Sequence, residues 1–362
     1  MMQPMVHHRW PECAQLLQQV RQGLQYALQT QNEIIILTCS GTGAMEASMA
    51  NLHRPGDRVL VAQGGKFGQR WALIGQAYGL QVTPIDIPWG ETLDPQLVAQ
   101  RLEADPNIKA VYITLCETST GVVNDLRALS EIVRSHSALL VVDAVSGLCS
   151  EELFTDRWQV DVVVSATQKG LMCPPGISFV SLNEGAWERV SSATLPKFYW
   201  DFQQMRKYSE KNQTPYTPAI TTLYGLKAAL NLIHQEGLEN IIRRHARLAR
   251  MARAAVTALN LELFAQRPAN ALTAVRVPSD MDGIKLLHIL HDRLGAVVAG
   301  GQSQLKGKIF RLAHLGHVDE LDVISAIAIL EEGLRILGHK FTAGAGLQAA
   351  QQLGLEQRED DS

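Results

Sequence analysis

The sequence lacks the strong charge and the long apolar runs that mark several classes of protein. Its formal net charge is only −3 over 362 residues, so electrostatics gives no reason to expect a nucleic acid or an anionic membrane as a partner. It has no apolar run of the roughly 20 residues that a transmembrane helix needs. Its first residues also lack the apolar core of a secretory signal. We therefore expect neither a membrane nor a nucleic-acid partner.

Cysteine is scarce, and its spacing excludes the usual cysteine frameworks. The five cysteines are Cys13, Cys39, Cys116, Cys149 and Cys173. None of them forms a CxxC pair or another metal-ligand spacing, and their odd number argues against a set of disulfides. Small buried side chains in a reducing compartment fit this pattern. We therefore expect a cytoplasmic protein without a metal site.

The length and composition are those of an ordinary globular protein with two lobes. Hydrophobic residues make up 46% of the chain and charged residues 19%, which is typical of globular proteins. We expect a helical N-terminal segment over residues 1–32, a large domain over 33–235 and a smaller α+β domain over 236–338. The polar end of the chain, residues 339–362, is expected to be weakly ordered.

Short apolar runs rich in β-branched residues alternate with amphipathic stretches in the first half of the chain. Seven strands are predicted, over residues 33–38, 58–62, 81–87, 110–115, 138–142, 160–165 and 177–182. Strands that are buried on both faces and alternate with helices indicate a mostly parallel sheet between two helical layers. Ligands of such sheets bind at the carboxyl ends of the strands.

A glycine-rich turn follows the first predicted strand and precedes an alanine-rich helix. It contains Ser40, Gly41 and Thr42. The free N–H groups of a first helical turn, together with two hydroxyls, provide a site for an anion such as phosphate. The turn lacks the lysine of a P-loop and the third glycine of a dinucleotide fingerprint, so ATP and NAD are disfavoured.

A carboxylate and a lysine stand at the ends of two other predicted strands. Asp143 ends a strongly apolar strand, where it either caps the next turn or needs a buried cationic partner. Lys169 follows an apolar strand within a turn of small residues. A lysine of this kind is usually a solvated surface residue; desolvated, it would have a lowered pKa and could form Schiff bases.

In this order, a phosphate turn, a carboxylate and a lysine, each at a strand end, resemble the class V (fold type I) aminotransferases that depend on pyridoxal 5'-phosphate (PLP). The similarity spans residues 7–337 and is strongest to the alanine–glyoxylate and serine–glyoxylate branch, in which some relatives carry the label of a soluble hydrogenase small subunit. The resemblance implies the PLP-transferase fold type I, with a mostly parallel seven-stranded sheet between helices and a smaller C-terminal α+β domain. It also implies PLP bound as an internal aldimine on Lys169.

The resemblance assigns further residues to the cofactor. Phe67, in a Gly-x-aromatic-Gly-x-Arg segment, matches the aromatic residue that stacks on the pyridine ring, and Asp143 matches the carboxylate that pairs with the ring nitrogen. The residues that match cofactor contacts of the family are Ser40, Gly41, Thr42, Phe67, Thr118, Asp143, Gln168, Lys169 and Thr217. Lys169 and Asp143 are the expected catalytic residues.

The resemblance also implies how substrates bind. Arg311 matches the arginine that holds the substrate carboxylate, for which a guanidinium fork is well suited, and Ser119 is a second expected substrate contact. Thr217 matches a residue that reaches the phosphate in the neighbouring subunit, so a homodimer with shared active sites is expected.

The expected activity is transfer of an amino group from a small amino acid, alanine or serine, to a 2-oxo acid such as glyoxylate. Two alternatives remain open. A cysteine desulfurase-like lyase of the same fold would need a cysteine on a mobile loop and usually a histidine before the lysine, whereas Gln168 precedes Lys169 here and Cys173 lies in a Pro-Pro turn. A non-catalytic assembly subunit, as the hydrogenase label suggests, is the other alternative.

Overall fold

Residues 5–360 are described by a computed structural model, with side chains described through residue 354. The first half of the chain forms nine strands. They are β1 (Glu33–Leu37), β2 (Arg58–Gln63), β3 (Gln81–Asp86), β4 (Ile108–Thr114), β5 (Cys116–Glu117), β6 (Val122–Val123), β7 (Leu139–Asp143), β8 (Val162–Ala166) and β9 (Ser178–Leu182). Seven of them form one sheet in the order β1-β9-β8-β7-β4-β2-β3. Only β9 runs against the other six strands, which confirms the mostly parallel sheet.

Helices cover both faces of this sheet because its strands are apolar on both sides. In β4, Val111 and Ile113 pack into one core, and Ala110 and Tyr112 pack into the other. The helices of this half are α1 (Pro11–Leu28), α2 (Gly41–Leu52), α3 (Lys66–Ala77), α4 (Pro95–Ala104), α5 (Leu126–Val133), α6 (Glu184–Ser192), α7 (Phe202–Ser209) and α8 (Ile220–Glu236). The core on one face is lined by α1, α4, α5 and α8, and the core on the other by α2, α3, α6 and α7.

Strands β5 and β6 pair as a small hairpin that the sequence did not reveal. The hairpin continues from the end of β4 and turns at Gly121, whose φ of +76° lies in the left-handed region that favours glycine. A Cβ on Gly121 would stand 2.9 Å from the Cβ of Ala274. The hairpin therefore brings the sheet edge into close contact with the second half of the chain.

The second half is built on helix α9 (Leu238–Ala258), which meets α8 at Gly237. It continues with β10 (Leu272–Arg276), α10 (Gly283–His288), a π-helical turn (Ile289–Arg293), β11 (Ala299–Gly300), a 3-10 turn (Ser303–Leu305), β12 (Ile309–Ala313) and α11 (Glu320–Ile336). Its three strands form a sheet in the order β10-β12-β11, and its helices and strands enclose a separate apolar core. Strand β11 is the shortest of the three, with only Ala299 and Gly300 paired to β12. The boundary between domains at 235/236 stays a prediction.

The expectation of a weakly ordered tail over residues 339–362 is wrong for residues 345–360, and residues 361 and 362 lie outside the described residues. Residues Ala345–Asp360 form helix α12, which packs along α9 and α11, with Ala350 fully buried in the apolar core. The carboxylate of Glu331 accepts hydrogen bonds from the N–H groups of Gly344, Gly346 and Leu347. This carboxylate satisfies the free donors at the start of α12 and fixes the helix to α11. Among the helices of residues 5–360, none has the length and hydropathy needed to cross a membrane.

Candidate active site

The turn after β1 leaves two backbone donors free for an anion. Ser40 precedes α2, and its carbonyl accepts the N–H groups of Gly43 and Ala44. The N–H groups of Gly41 and Thr42 bond to no acceptor among the described residues. The Ser40 hydroxyl is exposed and makes no capping bond. This is the arrangement that the sequence predicted for a phosphate site at a helix N-terminus.

The end of β7 presents Asp143, which is 3% exposed. Its Oδ1 accepts the N–H of Val145 at 2.8 Å, and no other hydrogen bond reaches the carboxylate from residues 5–360. Burial is the main reason that the pKa of Asp143 rises to about 7, and the nearby Glu117 carboxylate raises it further. One interpretation of the sequence, a carboxylate with an uncommitted oxygen that needs a cationic partner, fits this site.

Lys169 follows β8, the neighbour of β7 in the sheet. Its side chain is partly buried, and desolvation lowers the pKa of its amino group. The positive charge of Arg311 lowers the pKa as well, and the negative charge of Asp143 raises it. The charges of Arg311 and Asp143 therefore both act on Lys169. A larger fraction of its amine is neutral than for a lysine in water.

Gln168, beside Lys169, carries a buried oxygen that lacks a partner. Its Oε1 accepts no hydrogen bond within the described part of the chain. A buried amide oxygen without a donor is costly. The position thus has capacity for a ligand that brings a donor into the site.

The aromatic ring of Phe67 lies at the start of α3, which follows β2. The backbone N–H groups of Phe67 and Gly68 donate to the carboxylate of Glu117, each at 3.0 Å to Oε2. Glu117 is 2% exposed, and burial raises the pKa of its carboxyl. Sequence reasoning gave Glu117 no role. An acidic residue directly after the apolar strand β4 was the available signal, because a buried carboxylate requires donors.

Thr118 and Ser119 follow Glu117 and differ in how their hydroxyls are used. Thr118 is partly exposed, and its Oγ1 lies 2.5 Å from the hydroxyl oxygen of Ser146. Ser119 is fully buried; its hydroxyl donates to Glu117 and accepts the N–H of Lys66. The Ser119 hydroxyl is thus committed to the loop itself, and its assignment as a substrate contact stays a prediction that its burial disfavours.

Arg311, on β12, reaches across from the second half of the chain. Its Nη1 donates to the Thr118 carbonyl at 2.8 Å, and its Nε and Nη2 both donate to the Gly300 carbonyl. Partial burial lowers the pKa of the guanidinium, and the Glu117 carboxylate raises it. A guanidinium has five N–H donors, so one donor on each terminal nitrogen remains for a ligand.

Thr217 lines a small cavity together with Thr38, two residues before Ser40. It is exposed, in the segment between α7 and α8. Its predicted contact with a neighbouring subunit stays a prediction. The described residues hold no group of three or more His, Cys, Asp or Glu side chains that could hold a metal ion.

The residues of this site offer a suitable group for each part of PLP. The free N–H groups before α2 suit its phosphate, and the uncommitted oxygen of Asp143 suits a protonated ring nitrogen. Lys169 has the partly desolvated amine that a Schiff base requires. The unpartnered Gln168 oxygen adds an acceptor beside it.

Comparison with known proteins gives the same result. The family model described as aminotransferase class-V matches residues 2–314. The soluble hydrogenase 42 kDa subunit of Anabaena cylindrica is 46% identical over 95% of this chain and 91% of its own length. The serine–glyoxylate aminotransferase of Arabidopsis thaliana is 37% identical over 86% of this chain and 80% of its own. The crystal structure of alanine–glyoxylate aminotransferase from Nostoc sp. matches with a TM-score of 0.88 and 32% identity, covering 92% of this chain and 90% of that one.

The family model, the relatives and the fold all indicate the same family as the residues at the strand ends do. The resemblance seen in the sequence and the fold type I architecture are both confirmed. The chain belongs to the class V aminotransferases and is a PLP-dependent transaminase.

Proposed function

We propose that this transaminase moves the amino group of a small amino acid, alanine or serine, to a 2-oxo acid such as glyoxylate. Lys169 is the residue that binds the cofactor covalently, and Asp143 pairs with the ring nitrogen. The observation that carries the proposal is the position of Arg311. Its Nη1 donates to the carbonyl of Thr118 beside the site, its charge acts on Lys169, and one N–H donor remains on each terminal nitrogen. A carboxylate held by that fork would place the α-carbon of an amino acid near the lysine amine.

Several names among the relatives support a small substrate, whereas one relative is named L-aspartate–glyoxylate aminotransferase. Among them are proteins named serine–glyoxylate and alanine–glyoxylate aminotransferase. Two more of the expected cofactor contacts, Thr118 and Gln168, follow β5 and β8. Strand β7, which ends at Asp143, lies between β4 and β8 in the sheet, so these residues can converge on one ligand.

The residues of the site divide the work of the reaction. When bound, PLP supplies a ring that withdraws electrons from the α-carbon of the amino acid. Asp143 holds the proton on the ring nitrogen, since a buried carboxylate gains most from a cationic partner. Arg311 fixes the substrate carboxylate. The Lys169 Nζ, whose lowered pKa favours the neutral amine, would accept the proton from the α-carbon of the amino acid and give it to the cofactor, after which water releases the 2-oxo acid.

We also propose a homodimer with shared active sites. Thr217 is exposed, and so are the side chains of Phe198 and Trp10, which are 79% and 60% accessible. Exposed aromatic side chains of this kind are enriched at interfaces between subunits. Sedimentation with the cofactor present would measure the mass, and a monomer with full activity would contradict shared sites.

A half-reaction screen tests the substrate assignment. The purified protein with PLP would receive each of the twenty amino acids in turn, and its visible absorbance would report conversion to the amine form of the cofactor. Alanine or serine should convert it fastest, and glyoxylate should restore the starting spectrum. Faster conversion by aspartate would overturn the small-substrate proposal and leave transamination intact.

The two alternatives to transamination are a desulfurase activity and a role as an assembly subunit. A desulfurase needs an ionisable thiol, whereas burial raises the pKa of Cys173 to about 11, and the pKa of the partly exposed Cys39 also rises to about 11. Release of sulfide from cysteine would favour the desulfurase. A role as an assembly subunit is suggested by the name of the Anabaena relative, and stoichiometric iron or nickel in the purified protein would favour it.

A further inference from the structure

Arg70 contacts two of the predicted cofactor residues at once. It is the fifth residue of α3, and its Nη1 donates to the Thr42 hydroxyl oxygen at 2.8 Å. The guanidinium carbon also lies 4.8 Å from the centre of the Phe67 ring. Thr42 belongs to the first turn of α2, so Arg70 connects the starts of two helices.

We propose that Arg70 is a positioning residue that orients both the Thr42 hydroxyl and the Phe67 ring for PLP. The inference rests on the proposed cofactor contacts of Thr42 and Phe67. It adds one residue that contacts both of them.

The hydrogen bond to Thr42 determines how that hydroxyl can be used. A guanidinium only donates hydrogen bonds, so the Thr42 oxygen must accept. The hydroxyl hydrogen of Thr42 is then directed elsewhere, and it remains available as a donor. At neutral pH a phosphate dianion accepts hydrogen bonds and donates none, so a free hydroxyl hydrogen suits it. Arg70 thereby selects the hydroxyl orientation that suits an anion between the free N–H groups of Gly41 and Thr42.

The contact with Phe67 acts on the other end of the cofactor. A cation within about 6 Å of a ring face is attracted by the ring electrons, so Arg70 favours the ring orientation in which this contact forms. A planar guanidinium packed against the Phe67 ring restricts the rotation of that ring. Lysine would keep the positive charge and lose the planar surface.

The positive charge of Arg70 also favours binding of the phosphorylated cofactor. This charge favours the ionised form of Asp143. It also lies next to the predicted phosphate turn, because Arg70 donates a hydrogen bond to Thr42. An added cation next to a dianionic ligand strengthens binding in a partly buried site. The contacts and the charge therefore both predict tighter binding of the phosphorylated cofactor.

The test compares the wild-type protein with Arg70→Gln and Arg70→Lys, each freed of cofactor and then titrated with PLP and with pyridoxal, which lacks the phosphate. Loss of a charge-assisted hydrogen bond predicts that Arg70→Gln weakens PLP binding about tenfold or more. The pyridoxal affinity should fall less, and Arg70→Lys should recover only part of the PLP affinity. Arg127→Gln, an exposed arginine paired with Glu131 on α5, is the matched control and should bind PLP as the wild type does.

Thermal unfolding of the cofactor-free proteins separates positioning from a structural role. The melting temperature of cofactor-free Arg70→Gln should match that of the wild type, and only the PLP-bound proteins should differ. Equal PLP affinity in Arg70→Gln and wild type would overturn the inference, as would an equal loss for PLP and pyridoxal. If the wild type itself failed to bind PLP, the proposed function would fail instead, so the two failures are distinguishable.

Discussion

The backbone N–H of Phe67 donates to the buried carboxylate of Glu117 at 3.0 Å. This bond joins the start of α3 to β5 and so fixes the backbone of the residue whose ring is expected to stack on the cofactor. A negative charge also suits the positive end of the helix dipole. The glycine before this helix is required by the close approach, since a Cβ on Gly65 would lie 2.5 Å from Glu117 side-chain atoms.

Replacing Glu117 by alanine should destabilise the protein and weaken PLP binding. The N–H groups of Phe67, Gly68 and Ser119 would lose their acceptor, and unsatisfied buried donors cost about 1–3 kcal/mol each. Urea unfolding would measure the change. Glu103→Ala, an exposed position on α4, is the control and should change stability by less than about 0.5 kcal/mol. An unchanged midpoint for Glu117→Ala would refute this role.

Replacing Asp143 by asparagine should have opposite effects on the cofactor-free and the cofactor-bound protein. The pKa of Asp143 is about 7 in the folded protein against an ordinary value of 3.8, so the folded state holds the proton more tightly than the unfolded chain. The charged carboxylate therefore lowers stability progressively as the pH rises from about 4 to about 7. Cofactor-free Asp143→Asn should unfold at a higher temperature than the wild type at pH 8, and the difference should disappear near pH 4.

With PLP bound, the same substitution should weaken the complex and reduce activity, because the ring nitrogen loses its anionic partner. Asp280→Asn, at an exposed position of the second half of the chain, serves as the control in both measurements. A cofactor-free Asp143→Asn that is less stable than the wild type at pH 8 would show that the carboxylate does not carry this burial cost.

Replacing Arg311 by glutamine should raise the KM for the amino donor by about 100-fold and leave PLP affinity nearly unchanged. In its proposed role, the guanidinium would make a paired, charge-assisted contact with the substrate carboxylate. Steady-state kinetics and cofactor titration would measure the two effects separately. Arg335→Gln, an exposed arginine paired with Glu332, should alter neither. Equal losses of substrate and cofactor affinity in Arg311→Gln would indicate a collapsed site rather than a lost substrate contact.

Replacing Glu331 by alanine should release helix α12 from the body of the protein. Three N–H groups would lose their acceptor, at a cost of about 1–2 kcal/mol for a lost cap of this kind. Limited proteolysis should then cleave between α11 and α12 at a higher rate than in the wild type. An unchanged cleavage rate would mean that apolar packing alone fixes α12.

The seven strands of the large sheet and their order of appearance could be predicted because each is a short apolar run between helical patterns. The strand ends then fix where Asp143 and Lys169 must lie, since parallel strands share one carboxyl edge. Helix α12 was missed for a physical reason. Its polar composition resembles a disordered tail, and the helix is stabilised by a distant carboxylate, Glu331, and by packing on α9.

The parts of the site that could not be predicted depend on contacts distant in sequence. Glu117 binds the start of α3 about 50 residues before it, and Arg70 reaches Thr42 on another helix. No local pattern reports such pairs. The Ser119 hydroxyl was assigned to the substrate from its place in a motif, whereas its burial against Glu117 follows only from the fold of the β5–β6 hairpin.

The most direct test of the account is the site of covalent attachment of PLP. The purified protein would be treated with PLP and then with borohydride, which reduces an imine to a stable amine, and its peptides would be analysed by mass spectrometry. We predict one modified peptide, with the added mass on Lys169, and no modification in Lys169→Ala, whose PLP should dissociate on dialysis. A modification on another lysine, or none in the wild-type protein, would contradict the assignment of Lys169 as the residue that carries the cofactor.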